Sequence, residues 1–343
     1  MIRLCIRYLN LIVLTILALI GLSFLLPFLF PGDLLTNISG ITPDSNQQRE
    51  ALERAFKLDK SLFSQFIHYL ENLFAGNWGV SNRTQLDLFD EIALTFPATI
   101  ELVVYASVVS VTIGIPLGFI SGLKHHNPFD FSVVTFSIVA YSFPVFWLAL
   151  IFITVFSLQL EWLPTSGRID LLFEVPSVTG FILVDIWLSD IPNKGYAFKD
   201  ALQHLILPTI SVAIVTTALF VRFVRRSIMD VMEKEYIIAA KSRGFTQRQI
   251  FFKHGLKNAI IPILPILALQ VSTLITNVMI VETIFSWPGI GKWLIEAIYQ
   301  RDYPAIRMGM LIVSLFVMIL TISTEFLTRA IDPARERGVN ATL

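Results

Sequence analysis

The chain has 343 residues, of which 55% are apolar and only 15% are charged, and its mean hydropathy is +0.69. Soluble domains carry about 25% charged residues, so this composition excludes an ordinary soluble protein and indicates a chain embedded in lipid. The chain has 26 basic residues (lysine and arginine) and 26 acidic residues (aspartate and glutamate). This balance excludes the basic excess of a nucleic-acid binder and the acidic excess of a disordered tail. The single cysteine, Cys5, excludes an intramolecular disulfide and a thiolate metal cluster.

Six stretches are long and apolar enough to cross a bilayer core, which needs about 20 residues in a helix. Because a helix pairs its backbone polar groups within one segment, we predict an all-α membrane protein. The first stretch is longer than the apolar core of a signal peptide and no small-residue cleavage motif follows it, so residues 1–30 are predicted to be an N-terminal anchor. The predicted crossings are residues 8–30, 97–122, 131–158, 205–221, 259–285 and 308–327.

The distribution of lysine and arginine predicts the orientation. Six crossings place both termini on one side, and the segments on that side hold fifteen cations and six acids. The opposite segments, residues 31–96, 159–204 and 286–305, hold ten cations and seventeen acids. By the positive-inside rule we therefore predict cytoplasmic N- and C-termini, the latter in a tail of residues 332–343.

Two of the opposite segments are too long to be simple turns. The extracytoplasmic segment 31–96 carries apolar residues at helical spacing, which predicts a small folded cap. Residues 159–204 include the apolar run 181–188, which is far too short to cross a bilayer and is interpreted as a surface or re-entrant piece.

The segment between the fourth and fifth crossings, residues 222–258, shows the most regular local pattern. Residues 235–243 predict a short helix, and Gly244 can take the left-handed conformation that ends one cheaply. Thr246 and Gln249 have the T-x-x-Q spacing of a capping box, which predicts a second helix. We predict a rigid elbow on the cytoplasmic face, after which Pro262 opens a membrane span; an amphipathic helix lying in the lipid headgroups is the alternative.

The same segment resembles a known motif through Ala239, Ala240, Gly244, Ile250, Asn258, Ala259 and Pro262. The pattern is similar to the EAA loop of bacterial ABC-importer permeases, which docks on an ATPase subunit. Ile238 stands where that loop usually has glutamate, a departure common in the peptide/nickel branch, and it removes any argument from a salt bridge at that position. The runs 95–102, 204–208 and 282–291 also resemble that branch, and residues 162–190 resemble its Sap group of permeases.

The resemblance implies a type I importer permease with six transmembrane helices, whose transport domain covers residues 97–331 and whose coupling loop covers residues 222–258. It implies a second homologous permease, two ATP-binding subunits, an extracytoplasmic solute-binding protein and a peptide substrate, in the bacterial inner membrane. From the charge balance, the single cysteine and histidines without metal-ligand spacing, we expect no cofactor, no metal and no nucleic acid. The residues expected to couple the chain to the ATPase are Glu235, Tyr236, Ala239, Ala240, Gly244, Ile250, Asn258 and Pro262.

The run Gly289-Ile290-Gly291-Lys292 looks like part of a phosphate-binding loop but does not fit one. That motif needs a glycine where Ser286 stands and a serine or threonine where Trp293 stands. We also find no Ser/His/Asp or paired-carboxylate arrangement on one face. The chain is therefore predicted not to be an enzyme, with ATP hydrolysis on separate subunits.

Gly114, Gly118 and Gly122 recur every four residues on one face of the second crossing. This spacing predicts close helix packing, and a passage lined by small residues is the alternative. Glu101, Glu282 and Glu325 lie near predicted ends of crossings, where pairing or snorkelling competes with a role in an ion pathway.

Other functions stay open from the sequence. One is export of a polyamine, putrescine, by the same ABC assembly. Another is an ion-driven secondary transporter or channel that uses the three glutamates, and a third is a membrane scaffold that moves no solute.

Overall fold

The computed structural model describes residues 2–331, and the predicted tail 332–343 lies outside these residues. Within this range the chain is helical, and its β pairing is one isolated antiparallel bridge between Val80 and Asp87. The helices are α1 (Ile2–Leu29), α2 (Leu34–Ser39), α3 (Asn46–Ala55), α4 (Leu62–Ala75), α5 (Leu88–Leu123), α6 (Pro128–Ser142), α7 (Val145–Phe152), α8 (Ile182–Leu188), α9 (Lys194–Met232), α10 (Glu235–Ser242), α11 (Gln247–Ile250), α12 (Leu256–Ile260), α13 (Leu264–Ile284), α14 (Ile290–Gln300) and α15 (Tyr303–Ile331).

Within the described residues, four helical stretches are long and apolar enough to cross a membrane. They are Asn10–Leu29, Leu88–Leu123, Lys194–Met232 and Tyr303–Phe326. The bent pair α6–α7, if it is one span, makes a fifth. The fifth predicted crossing contains the shorter apolar helix Ser272–Ile284. The chain is thus a helical protein with several membrane-spanning segments.

The third predicted crossing is not one continuous helix. Its two parts, Pro128–Ser142 and Val145–Gln159, meet at an angle of 100°. Phe143 is extended, with ψ near 135°, and Pro144 follows it as the N-cap of α7. A residue before proline is driven out of the helical region, and proline donates no backbone hydrogen bond, so the break falls at this dipeptide. The predicted crossing over residues 131–158 therefore consists of two helical parts rather than one helix.

The second crossing begins earlier than predicted. Helix α5 starts at Leu88 rather than at Pro97, because the Asp87 side chain accepts a hydrogen bond from the backbone N–H of Phe89, at 2.8 Å. An aspartate in this position satisfies one of the free N–H groups of a first turn. Pro97 consequently lies inside α5, with about two turns of helix before it.

The described chain forms two compact units. The first unit contains residues 2–98 and 288–316, so the predicted cap groups with α1, α14 and the start of α15. In this unit Phe24 of α1 packs edge-on against Phe66 of α4, with ring centroids 5.3 Å apart. The cap is folded, as predicted, although its apolar stripe is divided between α3 and α4 rather than carried by one helix.

The second unit contains residues 99–287 and 317–331. The 39-residue helix α9 is its central element, and it packs against α6, α7, α8, α12 and α13. Its buried face includes Val224 and Ile228, which pack with Phe119 of α5, Ala259 of α12 and Ile263 in one apolar cluster. Helix α9 therefore connects the buried core directly to the segment that follows Met232.

Candidate functional site

The segment after α9 forms the predicted elbow. Helix α9 ends at Met232, and α10 begins three residues later at Glu235. Gly244 follows α10, and Thr246 starts α11 with the predicted capping box. In this capping box the Thr246 side chain accepts a hydrogen bond from the backbone N–H of Gln249. The Gln249 side chain accepts a hydrogen bond from the backbone N–H of Thr246. A continuous helical path then runs through Phe251 into α12 and α13.

The inner side of the elbow is a small apolar cluster. Ile237 and Ala240 of α10 and Ile250 of α11 are buried together, with Met232 packed against them. Ile237 and Ile250 are fully buried. Because apolar burial holds α10 and α11 against the end of α9, the elbow is attached to the membrane-spanning core as a packed unit.

The outer side of α10 presents an exposed stripe made of Glu235, Ile238, Ala239 and Ser242. These positions follow the i, i+3, i+4, i+7 spacing of one helix face. Ala239 and Ala240 therefore have different environments: Ala239 is exposed on this stripe, whereas Ala240 belongs to the buried cluster. Ala239 can accept a close neighbour from outside the chain, and Ala240 allows close packing inside it.

Tyr236 and Asn258 connect the two arms of the elbow. The Asn258 side-chain amide donates to the Tyr236 hydroxyl at 3.2 Å and so links α12 to α10. The Ser227 hydroxyl of α9 also donates to the carbonyl of Ala259, at 2.7 Å. Pro262 lies in a 3-10 turn, Ile261–Ile263, between α12 and α13, where its missing N–H is tolerated.

Gly244 makes the corner of the elbow through its backbone. Its φ is +82°, which side chains other than glycine rarely adopt, and a Cβ built on it meets no atom within 4 Å. The requirement for glycine here is therefore conformational rather than a matter of space.

The three glycines of α5 lie along α9. A Cβ on Gly114 would come within 2.9 Å of the Phe220 side chain, and a Cβ on Gly118 within 2.7 Å of that of Val224. At Gly122 a Cβ would lie 2.8 Å from the carbonyl oxygen of Arg225. Because the opposing atoms include α9 backbone, the two helices approach more closely here than any other residue would permit.

The second unit contains two ion pairs whose partners the sequence does not identify. Arg225 of α9 binds Asp130 of α6, and Arg168 binds Glu101 of α5. Each pair joins residues far apart in sequence, at separations of 95 and 67 residues. The intramembrane position of Glu101 was the one available indication, since a buried carboxylate requires a partner.

Glu101 is enclosed by several donors. The Arg168 guanidinium also donates to the carbonyl of Gly180, and it lies over the Trp287 ring at 5.5 Å. The Tyr105 hydroxyl also donates to the Glu101 carboxylate, at 3.5 Å. The carboxylate therefore anchors the segment before α9 to α5.

The other two glutamates differ in environment. Glu282 is fully buried and accepts a hydrogen bond from the Thr99 hydroxyl at 2.5 Å. Glu325 is half-buried in α15 and also has an interaction partner. In the part of the chain that the structure describes, no three His, Cys, Asp or Glu side chains lie close enough together to hold a metal ion.

The sequence comparisons agree on one family. A family model described as "Binding-protein-dependent transport system inner membrane component" matches residues 114–337. The chain is 40% identical to the "Di/tripeptide transport system permease protein DppB" of Pseudomonas aeruginosa (strain UCBPP-PA14), over 95% of this chain and 96% of the relative. It is 38% identical to the "Putrescine export system permease protein SapB" of Escherichia coli (strain K12), over 81% of this chain and 86% of the relative.

The fold is similar to that in a solved structure of the MetNI methionine ABC transporter in inward-facing conformations. The TM-score is 0.50 at 15% identity, and the match covers 68% of this chain and 93% of the other. The family match covers the elbow, the three glycines of α5, and both arginines of the ion pairs, Arg168 and Arg225. Glu101, the partner of Arg168, precedes the matched region. The chain therefore belongs to the family of binding-protein-dependent transport system inner membrane components.

Proposed function

We propose that this chain is the permease subunit of a peptide ABC importer in the bacterial inner membrane and forms half of its translocation path. The support is family membership together with 40% identity to a relative named as a di/tripeptide permease. In this proposal the path lies between this chain and a second, homologous permease. Two ATP-binding subunits bind the cytoplasmic side, and a solute-binding protein delivers peptide from outside.

The proposed topology has six crossings with cytoplasmic N- and C-termini. Four long helices supply four crossings, the bent pair α6–α7 supplies one, and residues 259–285 supply the remaining one. The excess of lysine and arginine in residues 222–258 supports a cytoplasmic elbow. The tail 332–343 follows the last crossing on the same side.

The structural observation that supports coupling to the ATPases is the two-sided packing of the elbow. Ile237, Ala240 and Ile250 attach it to the end of α9, while Ile238 and Ala239 face outward. We infer that the two ATP-binding subunits close together on binding ATP and displace this outward face. Because α9 continues rigidly from the elbow into the core, a displacement of α10 rocks the membrane helices between inward-open and outward-open packings.

ATP hydrolysis belongs to the separate subunits in this proposal. The chain supplies contacts, a path and a lever. The residues that would maintain or form the ATPase contact are Glu235, Tyr236, Ala239, Ala240, Gly244, Ile250, Asn258 and Pro262. The residues that would fix α5 against α9 are Gly114, Gly118 and Gly122.

A charge placed on the outward stripe tests this proposal. Ala239→Glu should abolish co-purification of the ATPase subunits with the membrane complex, because the added carboxylate would be desolvated in the contact. Gln247→Glu is the matched control: it adds the same charge at an exposed position of α11 and should retain the ATPases. Equal retention in both variants, at wild-type levels of membrane insertion, would rule out the proposed docking face.

Putrescine export is the second candidate function, and one observation favours it. The Escherichia coli relative with 38% identity is named as a putrescine export permease. Reconstituted vesicles separate the two functions by the direction and identity of the solute. ATP-dependent movement of labelled tripeptide toward the ATPase side supports import of peptide, and movement of labelled putrescine away from that side supports export.

A further inference from the structure

Arg307 of α15 is a buried cation in the first unit. Only 6% of its surface is exposed, and its Nε has no hydrogen-bond partner among the residues that the structure describes. Its guanidinium lies 5.4 Å from the centre of the Tyr69 ring, which offers a cation–π contact but no negative charge. A guanidinium in this environment still needs an acceptor for its N–H groups and a neutralising charge.

Arg307 lines a cavity of about 50 Å³ between the cap and the first turns of α15. This volume has room for a few water-sized polar groups beside the guanidinium. The cavity wall combines apolar side chains with polar ones: Phe24, Leu58, His68, Tyr69, Asn72 and Arg307 are among the residues that form it.

The polar side chains beside Arg307 are largely occupied with one another. The Tyr69 hydroxyl is hydrogen-bonded to Ser23 at 3.0 Å, and Asn72 is hydrogen-bonded to His68 at 3.2 Å. His68 also contacts the carbonyl of Ala55, at 2.9 Å. These contacts hold the wall in place and leave the guanidinium as the group with unused hydrogen-bonding capacity.

We propose that Arg307 and this cavity form a binding site for a carboxylate group. A guanidinium presents parallel N–H donors that match the two oxygens of a carboxylate, and the apolar wall strengthens the attraction between the opposite charges. A carboxylate also fits the volume of the cavity, because only its planar –COO⁻ group has to enter. The proposal stands on the geometry of the first unit and does not depend on which solute the protein transports.

The probe is ¹⁴C-formate, used with the purified full-length chain in its membrane complex. Wild-type protein should bind formate saturably, with one site for each copy of the chain. Arg307→Met should weaken binding at least tenfold, and Arg307→Lys should weaken it less, because lysine keeps the charge but loses the paired donors. Arg301→Met is the matched control: Arg301 is exposed at the end of α14, so its loss removes the same charge and should leave binding unchanged.

Protein stability gives a second readout that does not require a high affinity. Formate added at constant ionic strength should raise the unfolding temperature of the wild type and of Arg301→Met, but not that of Arg307→Met. Replacing an uncompensated buried charge with methionine is not expected to prevent folding, so this comparison is available even at low yield.

Competition identifies the source of the carboxylate. If a tripeptide displaces formate and its C-terminally amidated form does not, the carboxylate is that of a peptide terminus. If neither peptide displaces formate, the carboxylate is that of a free small molecule. Either result supports the site. Formate binding that is absent in the wild type, or unchanged in Arg307→Met, overturns it, as does a co-purified phospholipid that is lost only in Arg307→Met.

Discussion

Arg225 holds Asp130 through two parallel hydrogen bonds, from Nε to Oδ1 at 2.6 Å and from Nη2 to Oδ2 at 2.7 Å. The Ser121 hydroxyl donates to the same carboxylate at 2.5 Å. Asp130 is in the first turn of α6, Arg225 is in α9 and Ser121 is near the end of α5. One carboxylate therefore fixes three helices together, within two turns of the α9 end that carries the elbow.

Asp130→Asn should destabilise the protein by about 2–4 kcal/mol, because it leaves the partly buried Arg225 guanidinium without its counterion. The measurement is thermal or chemical unfolding of the purified complex. Asp230→Asn is the control, since the Asp230–Arg226 pair is long at 3.9 Å and its side chains are 63% and 83% exposed, against 6% and 25% for Asp130 and Arg225. The control should change stability by less than about 0.5 kcal/mol. Equal effects of the two substitutions would contradict this account.

Gly118→Ala should weaken the contact between α5 and α9. The new methyl would lie 2.7 Å from Cβ of Val224 and 2.9 Å from the carbonyl oxygen of Val221, and the latter is backbone that cannot rotate away. Overpacking of this kind costs about 1–3 kcal/mol. The unfolding midpoint is the measurement.

The control for Gly118→Ala is Gly21→Ala in α1. Gly21 is also a glycine within an apolar helix, but a Cβ there meets nothing within 4 Å. This substitution should leave stability within about 1 kcal/mol of the wild type. If Gly118→Ala were equally harmless, the close approach of the two helices would not contribute to stability.

The parts of this structure that depend on local chemistry could be predicted from the sequence. The capping box at Thr246 and Gln249 and the left-handed glycine at position 244 each depend on neighbouring residues, and both occur as predicted. The break at Pro144 also had a local indication, a proline inside an apolar run, but the apolar pattern alone favoured an unbroken helix.

The tertiary pairings could not be predicted in the same way. Arg225 is one of several cations after the fourth predicted crossing, and the sequence does not distinguish it from Arg226, whose side chain is exposed. Likewise, periodicity places Ala239 and Ala240 side by side and cannot show which of them faces α11. These distinctions arise from helix packing, which depends on residues distant in the chain.

Substitutions of Gly244 should depend on the backbone conformation that the new residue tolerates, not on its size. Gly244→Asn should largely preserve function, because asparagine tolerates positive φ better than other residues. Gly244→Val should cost about 1–2 kcal/mol in the elbow and reduce ATPase stimulation by transported solute. The measurement is solute-stimulated ATPase activity of the reconstituted complex. Similar activities for both variants would show that the angle at Gly244 is not required for coupling.

Substitutions of Glu101 and Arg168 distinguish a structural ion pair from an ion pathway. Arg168→Met should destabilise the protein by about 3–5 kcal/mol, because it leaves the fully buried Glu101 carboxylate without its main partner. Adding Glu101→Gln to Arg168→Met should recover most of that loss, since neither charge then remains, and a double-mutant cycle measures the recovery.

In an ABC importer the double variant should also keep a large part of its ATP-dependent transport, because the pair only anchors the segment before α9. In an ion-driven carrier that uses Glu101, the same folded double variant would lose transport and its dependence on an ion gradient. Flux measured in vesicles with ATP, and separately with a proton gradient alone, decides between the two.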